Sequence, residues 1–157
     1  MKKKNFSYPA VLAIVFACAI FGAPPVQASL GGRVDSISND AEALKSSGLA
    51  IKSQKNYTVH EITSNAVTVR EYVSPDGVIF GVAWNGTVNP DIRQLLGGYS
   101  GEYVKAVRSM PRIKGRHPLR VATDNVVVER WGHMRDWHGR AYAPSLLPAG
   151  VSKNVIR

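Results

Sequence analysis

The sequence contains a single cysteine, Cys18, which lies in an apolar N-terminal segment. One cysteine cannot form an intramolecular disulfide, and it cannot supply the several thiolates of a structural zinc site. Residues 29–157 contain no cysteine at all, which excludes a cysteine nucleophile from that part of the chain. Packing alone must therefore stabilise a domain built from these residues.

Motifs of common enzyme classes are also missing. No serine lies in a Gly-x-Ser-x-Gly context, and no Gly-x-x-x-x-Gly-Lys-Ser/Thr phosphate loop occurs. The glycine-rich segment Gly97–Gly101 follows a helical pattern rather than a strand, so it is not typical of a dinucleotide-binding turn. We therefore predict no cofactor, and the sequence favours a protein without catalytic activity.

No apolar run is long enough to cross a bilayer as a helix, but the N-terminus is typical of a secretory signal peptide. Three lysines, Lys2–Lys4, precede the uncharged segment Ala10–Gly22. This segment has 13 residues, whereas a membrane span needs about 20. Small residues in Val26–Ala28 predict cleavage after Ala28, with an uncleaved anchor as the alternative. We expect export to the periplasm or the exterior of a Gram-negative bacterium, and no membrane span in the mature chain.

Acidic residues are few. Residues 29–157 contain 17 basic and 11 acidic side chains, a formal charge of +6. The segment 105–120, predicted to be a loop from its prolines and glycine, contains no acid and six basic residues: Lys105, Arg108, Arg112, Lys114, Arg116 and Arg120. It lacks the interleaved aromatic residues of a single-strand nucleic-acid surface, so nucleic acid is not an expected partner. An anionic envelope component is the alternative that this segment favours.

The pattern of residues 57–84 predicts a three-stranded antiparallel meander. Period-two alternation indicates strands at Tyr57–Ile62 and Val67–Val73, and a third strand at Val78–Trp84 is apolar on both faces. Ser74–Gly77 and Asn85-Gly86 are typical turn sequences.

Two helices and further strands complete the predicted domain. Asn39 is expected to cap a short helix that ends at Gly48. Asn89 is expected to cap the main helix, whose apolar stripe is interrupted at Gly97-Gly98. Strands are predicted at Leu119–Ala122, Val126–Trp131 and Met134–Ala143. The fold prediction is one α+β domain, residues 29–157, with an antiparallel sheet of five to six strands packed against one main helix.

Two carboxylates, Glu61 and Glu71, are in phase with the apolar side chains of the first two meander strands. If Val59 pairs with Val69, the two carboxylates lie four residues apart, about 13 Å along the strands. Glycoside hydrolysis requires roughly 5–9.5 Å between its carboxyl groups. We therefore predict a structural role, in which a glutamate at the sheet edge pairs with Arg70 or another arginine.

The most suggestive catalytic residues are His133, Asp136 and His138. On one strand, the two histidines point to opposite faces, and on a helix they are separated by about 140°, so only a turn brings both to one ion. A hydrolase or metal-dependent enzyme that uses these three residues is the second functional hypothesis, and we predict no metal site.

A cluster of aromatic and arginine residues near the C-terminus favours binding. This composition is enriched at protein interfaces, and its members are Arg135, Trp137, Arg140 and Tyr142, with Trp131 beside them. The alternative is that Trp131 and Trp137 fill the core.

Several stretches together resemble an uncharacterised bacterial family, domain of unknown function 2844. They are Leu30–Gly32, Tyr57–Glu61, Arg70–Gly77, Phe80–Trp84, Pro90–Gly97, Gly132–Arg135, Gly139–Tyr142 and Leu146–Pro148. The resemblance implies export and a single domain, and it implies no activity, cofactor or catalytic residue. The preferred function is a non-catalytic envelope binding or accessory module with an envelope protein or anionic component as its partner. Ligand, biological process and oligomeric state stay open at this stage.

Overall fold

The computed structural model describes residues 29–111 and 117–157. The predicted signal peptide, with its cleavage after Ala28, lies outside these residues, as do Arg112, Lys114 and Arg116. The helices are α1 (Ile37–Ala43), α2 (Ile92–Leu96) and α3 (Ser100–Ser109). The strands are β1 (Gly48–Ser53), β2 (Thr58–Thr63), β3 (Val67–Val73), β4 (Ile79–Gly86), β5 (Leu119–Ala122), β6 (Val127–His133) and β7 (Asp136–Tyr142).

All seven strands of the described residues form one antiparallel sheet in the order β1-β2-β3-β4-β7-β6-β5. The α+β class and the meander β2-β3-β4 are confirmed, because each neighbour in the meander pairs antiparallel. The predicted count of five to six strands is wrong. The last strand in the chain, β7, lies in the middle of the sheet beside β4.

The strand missing from the prediction is β1, an edge strand with all six residues exposed. Its apolar side chains Leu49 and Ile51 are 49% and 60% exposed, so burial does not produce an alternating pattern there. Gly48 begins this strand and does not end a helix. The predicted cap is also wrong, since α1 already begins at Ile37 and contains Asn39.

The pairing of β2 with β3 differs from the expected register by three residues. Ile62 lies opposite Val69, so Glu61 faces Arg70 and His60 faces Glu71. Because an odd shift exchanges the two faces of a strand, Glu61 and Glu71 point to opposite sides of the sheet. Glu71 is fully buried. Glu61 accepts a 2.8 Å hydrogen bond from Arg70 Nε, which confirms the predicted pairing with Arg70, but its strand β2 lies inside the sheet and not at the edge.

The main helical region runs from Ile92 to Ser109 with one irregularity. Asp91, rather than Asn89, caps α2 by accepting a hydrogen bond from the Arg93 backbone N–H. A 3₁₀ turn, Gly97–Tyr99, joins α2 to α3. Gly97 has φ +50°, and a Cβ there would overlap the Ser29 side chain. Gly97 therefore ends α2, and the 3₁₀ turn leads directly into α3.

Both faces of the sheet are covered. On the helix face, α1, α2 and α3 pack on a core that includes Trp84, Val69 and Val128. On the opposite face, the C-terminal tail, residues 144–157, packs on Phe80 and Tyr142. We call this second side the tail face. The first six residues of β4 are all buried, as predicted for a central strand.

The described helices include none that is both long and apolar enough to cross a membrane.

Candidate functional site

A tight turn at Met134 and Arg135 connects β6 to β7. His133 pairs with Asp136 across it, so the predicted strand Met134–Ala143 begins two residues later. Met134 and Arg135 have φ +45° and +70°, the left-handed conformation that a two-residue hairpin turn requires and that asparagine and glycine adopt most easily. Side chains other than glycine are strained there by about 1 kcal/mol each. The chain thus holds Met134, which is 79% exposed, at a strained hairpin tip.

The same turn brings the three suggested catalytic residues to one side of the sheet. The register places His133, Asp136 and His138 on the tail face, in contrast to the opposite faces expected on a single strand. His138 Nε2 lies 2.9 Å from Asp136 Oδ1, and the His138 ring stacks on Trp131 with a centroid distance of 6.0 Å. Among the described residues, no three His, Cys, Asp or Glu side chains are grouped so that they could hold a metal. The arrangement therefore gives the enzyme hypothesis no support.

The aromatic–arginine cluster is divided between the two faces. Trp131 and Arg140 occupy tail-face positions, whereas Trp137 lies opposite Gly86 on the helix face. Tyr142 is buried, and Arg140 donates to Glu129 Oε2 at 2.7 Å and to the Ile156 carbonyl at 3.3 Å. These contacts give Arg140 and Tyr142 structural roles. Arg135 is exposed in the turn.

Neither tryptophan of the cluster fills the core. Trp131 is 41% exposed, Trp137 is half-buried, and the core tryptophan is Trp84, which is 2% exposed. The alternative that Trp131 and Trp137 serve only as core residues is wrong. Both remain available for binding, one on each side of the β6–β7 hairpin.

The basic segment 105–120 is not one loop. Lys105 and Arg108 lie on α3, where both are exposed. Arg120 lies on β5 and donates to Glu129 Oε1 at 3.1 Å. The described basic residues of this segment therefore lie on a helix and on a strand with different neighbours. They do not form one continuous surface of the kind that binds a polyanion.

A pocket of about 310 Å³ opens beside the hairpin. Its floor is the helix face of β5, β6 and β7. The residues that line it include Asn89, His117, Leu119, Arg130, Trp131 and Trp137. Of these, the sequence had indicated only the two tryptophans. Arg130 had one detectable signal: it continues the alternation of Val126 and Val128, so a charged residue occupies a core-facing position.

Arg130 differs from the other strand arginines in its electrostatic environment. Within the described residues, its Nε is buried and has no hydrogen-bond partner. Arg70 pairs with Glu61, and both Arg120 and Arg140 pair with Glu129. These three pairs lie on the tail face. The pocket on the helix face therefore has an arginine that forms no ion pair with a carboxylate of the residues that the structure describes.

The tail-face ion pairs lower the pKa values of their glutamates. The hydrogen bond from Arg70 holds the pKa of Glu61 below its usual value. Burial raises the pKa of Glu129, but hydrogen bonds and charges from Arg140 and Arg120 outweigh this effect, so its pKa is also lowered. A carboxylate with a lowered native pKa stabilises the fold at neutral pH, and this stabilisation is lost as protonation sets in.

We expect acid to destabilise the domain by about 1 kcal/mol for each of the two glutamates as the pH falls below about 5 and through their lowered pKa values. Urea unfolding at neutral and acidic pH measures this loss. The control variant Arg70→Gln should be less stable than the wild type at neutral pH and should show a smaller acid effect. An equal acid effect in both proteins would contradict the assignment to Glu61.

The described residues form a small antiparallel α+β domain with a ligand-sized pocket beside the β6–β7 hairpin. Residues 26–156 match the model of the family described as protein of unknown function (DUF2844). The chain belongs to this family, which confirms the resemblance seen in the sequence. Searches of the curated proteins and of the solved structures found no match.

Proposed function

We propose that the protein is an exported, non-catalytic binding module that holds part of an envelope component in the pocket beside the β6–β7 hairpin. The observation that carries this proposal is the pocket itself, which is lined on the helix face by Trp137 and Arg130. Aromatic side chains and arginine dominate binding energy at interfaces. Export is supported by the pattern of residues 1–28.

The pocket size favours a small ligand or one unit of a larger one. Small-molecule pockets usually have volumes of about 300–1,000 Å³, and this one, at about 310 Å³, is at the lower end. Trp137 and Leu119 supply apolar surface, and Asn89 supplies an amide at the rim. The strained hairpin tip fits this role, because backbone strain is concentrated at functional sites.

A pulldown from envelope extract tests the proposal. The full sequence is expressed in a Gram-negative host and purified from the periplasm, and mass spectrometry reads whether the recovered chain begins at Ser29. Wild type is expected to retain a component that Trp137→Ala loses. The control is Ile51→Ala, which removes an exposed apolar side chain at the far edge of the sheet.

The outcomes separate the alternatives. Retention by Trp137→Ala equal to that of the wild type, with both proteins folded by circular dichroism, would exclude the pocket as the binding site. Capture of anionic material alone that high salt releases from all three proteins would favour general charge attraction instead.

A further inference from the structure

The geometry points to a carboxylate as the group that the pocket recognises, presented on a ring-sized body such as an acidic sugar. This inference rests on the proposed function and names the ligand class of the same site. Its central residue is Arg130, which lies on the pocket floor with a buried, unpartnered Nε.

A buried guanidinium nitrogen without a hydrogen-bond partner is unfavourable in a folded protein. Moving a polar, charged group out of water is costly unless an opposite charge and hydrogen bonds compensate. Elsewhere in this sheet, the arginines at positions 70, 120 and 140 each receive that compensation from a glutamate. The described part of the pocket lining contains no acidic residue, so a ligand carboxylate is the group that would match Arg130.

The chemistry of the lining favours carboxylate over phosphate. A guanidinium pairs with a carboxylate or a phosphate through two parallel hydrogen bonds, but a single arginine matches the single charge of a carboxylate and leaves part of the phosphate charge uncompensated. Among the residues that the structure describes, the lining has no lysine, and its members other than Arg130 are mainly apolar or aromatic. The α2 N-terminus is not available as a phosphate site, since Asp91 already accepts its Arg93 N–H and the helix has only five residues.

The residues beside Arg130 in the pocket indicate what the rest of the ligand is. Trp137 and Leu119 flank Arg130 on the helix face, and the exposed His117 lies at the rim. A sugar ring has an apolar C–H face that stacks on an indole and hydroxyl groups that reach polar rim atoms. One acidic sugar unit therefore satisfies both parts of the site, the charged floor and the aromatic wall.

Nuclear magnetic resonance titration of the purified full-length product tests the inference. The probes are D-glucuronate, D-glucose as the same ring without the carboxylate, benzoate as a carboxylate on a different ring, and inorganic phosphate. Glucuronate is expected to shift the Trp137 indole N–H and Arg130 Nε–H signals saturably. Glucose is expected to bind roughly tenfold more weakly or worse because it forms no charged pair, and phosphate is expected to bind more weakly because it lacks the ring that stacks on Trp137.

Two substitutions at Arg130 give readouts that a structural role would not produce. Arg130→Gln should weaken glucuronate binding roughly tenfold or more, whereas Arg120→Gln, a tail-face control, should bind as the wild type. Arg130→Met should raise the melting temperature, since it removes an uncompensated charge from a partly buried position. A structural arginine would give the opposite sign.

Several results would overturn the inference. No saturable shift with glucuronate or benzoate at millimolar concentration would refute it, as would tighter binding of phosphate than of either carboxylate. If benzoate binds and glucuronate does not, the proposed sugar is wrong and the proposed recognition of a carboxylate stands. If Trp137→Ala loses the envelope component and Arg130→Gln keeps it, the binding function stands and the carboxylate assignment falls.

Discussion

Replacing Gly139 with alanine is expected to lower the free energy of unfolding by about 3 kcal/mol. Gly139 lies on β7 between Trp84 on β4 and Arg130 on β6. A Cβ at this position would overlap the Trp84 ring and lie 2.9 Å from the Glu129 carbonyl oxygen. Trp84 is almost fully buried and is the largest side chain of the core, so it has no free space into which to move.

The matched control for this prediction is another glycine-to-alanine change. Gly101 lies in α3, and a Cβ there would meet nothing within 4 Å. Because glycine weakens helices, Gly101→Ala is expected to stabilise the domain by about 0.5 kcal/mol. Urea unfolding followed by circular dichroism measures both changes. Equal and small effects of the two substitutions would show that β7 moves away from Trp84 at little cost.

Replacing Ile156 with alanine is expected to destabilise the domain by about 3 kcal/mol, although this residue is the last but one in the chain. Ile156 is fully buried, and its Cδ1 would lie 2.6 Å from a Cβ at Gly81, so it packs directly on the β4 backbone. The tail is fixed beside it, since the Tyr72 hydroxyl accepts a hydrogen bond from the Arg157 N–H and donates one to the Arg157 carbonyl.

Ile51, an isoleucine on the edge strand β1, provides the comparison. Ile51 is 60% exposed, and Ile51→Ala is expected to change the free energy of unfolding by about 0.5 kcal/mol or less. Melting temperatures from calorimetry rank the two variants. A tail that packs only loosely would give Ile156→Ala a change as small as that of Ile51→Ala.

The sequence predicted those elements whose signals are local. Turn residues at Ser74–Gly77 and the apolar run of β4 were sufficient for the meander, since hairpin pairing follows from neighbouring segments. Strand β1, Gly48–Ser53, was not predicted because its side chains are exposed on both faces. The period-two pattern that identifies a strand normally arises from burial of one face. The β2–β3 register was wrong because matching Val59 with Val69 ignored the turn, which fixes the pairing.

The site was predictable only in part, for a topological reason. Trp131 and Trp137 attracted attention by their residue type alone. His117, Leu119 and Arg130 meet only because β5 pairs with β6, a contact that residue spacing does not reveal. Conversely, the sequence indicated Arg140 and Tyr142 as binding residues, but in the structure the C-terminal tail packs on them. Long-range packing determines which arginine has no ion pair with a glutamate. Composition could therefore indicate an aromatic–arginine site but not that Arg130 is its central residue.

The strand order has a consequence for how the chain acquires its structure as it is made. β4 is complete at Gly86, yet its outer edge pairs with β7, which ends at Tyr142. Throughout synthesis of the intervening residues, the finished meander exposes an apolar strand edge, the kind of surface that promotes aggregation. The tail that seals the other face arrives later still. The sheet therefore cannot close beside β4 until β7 is available to pair with it.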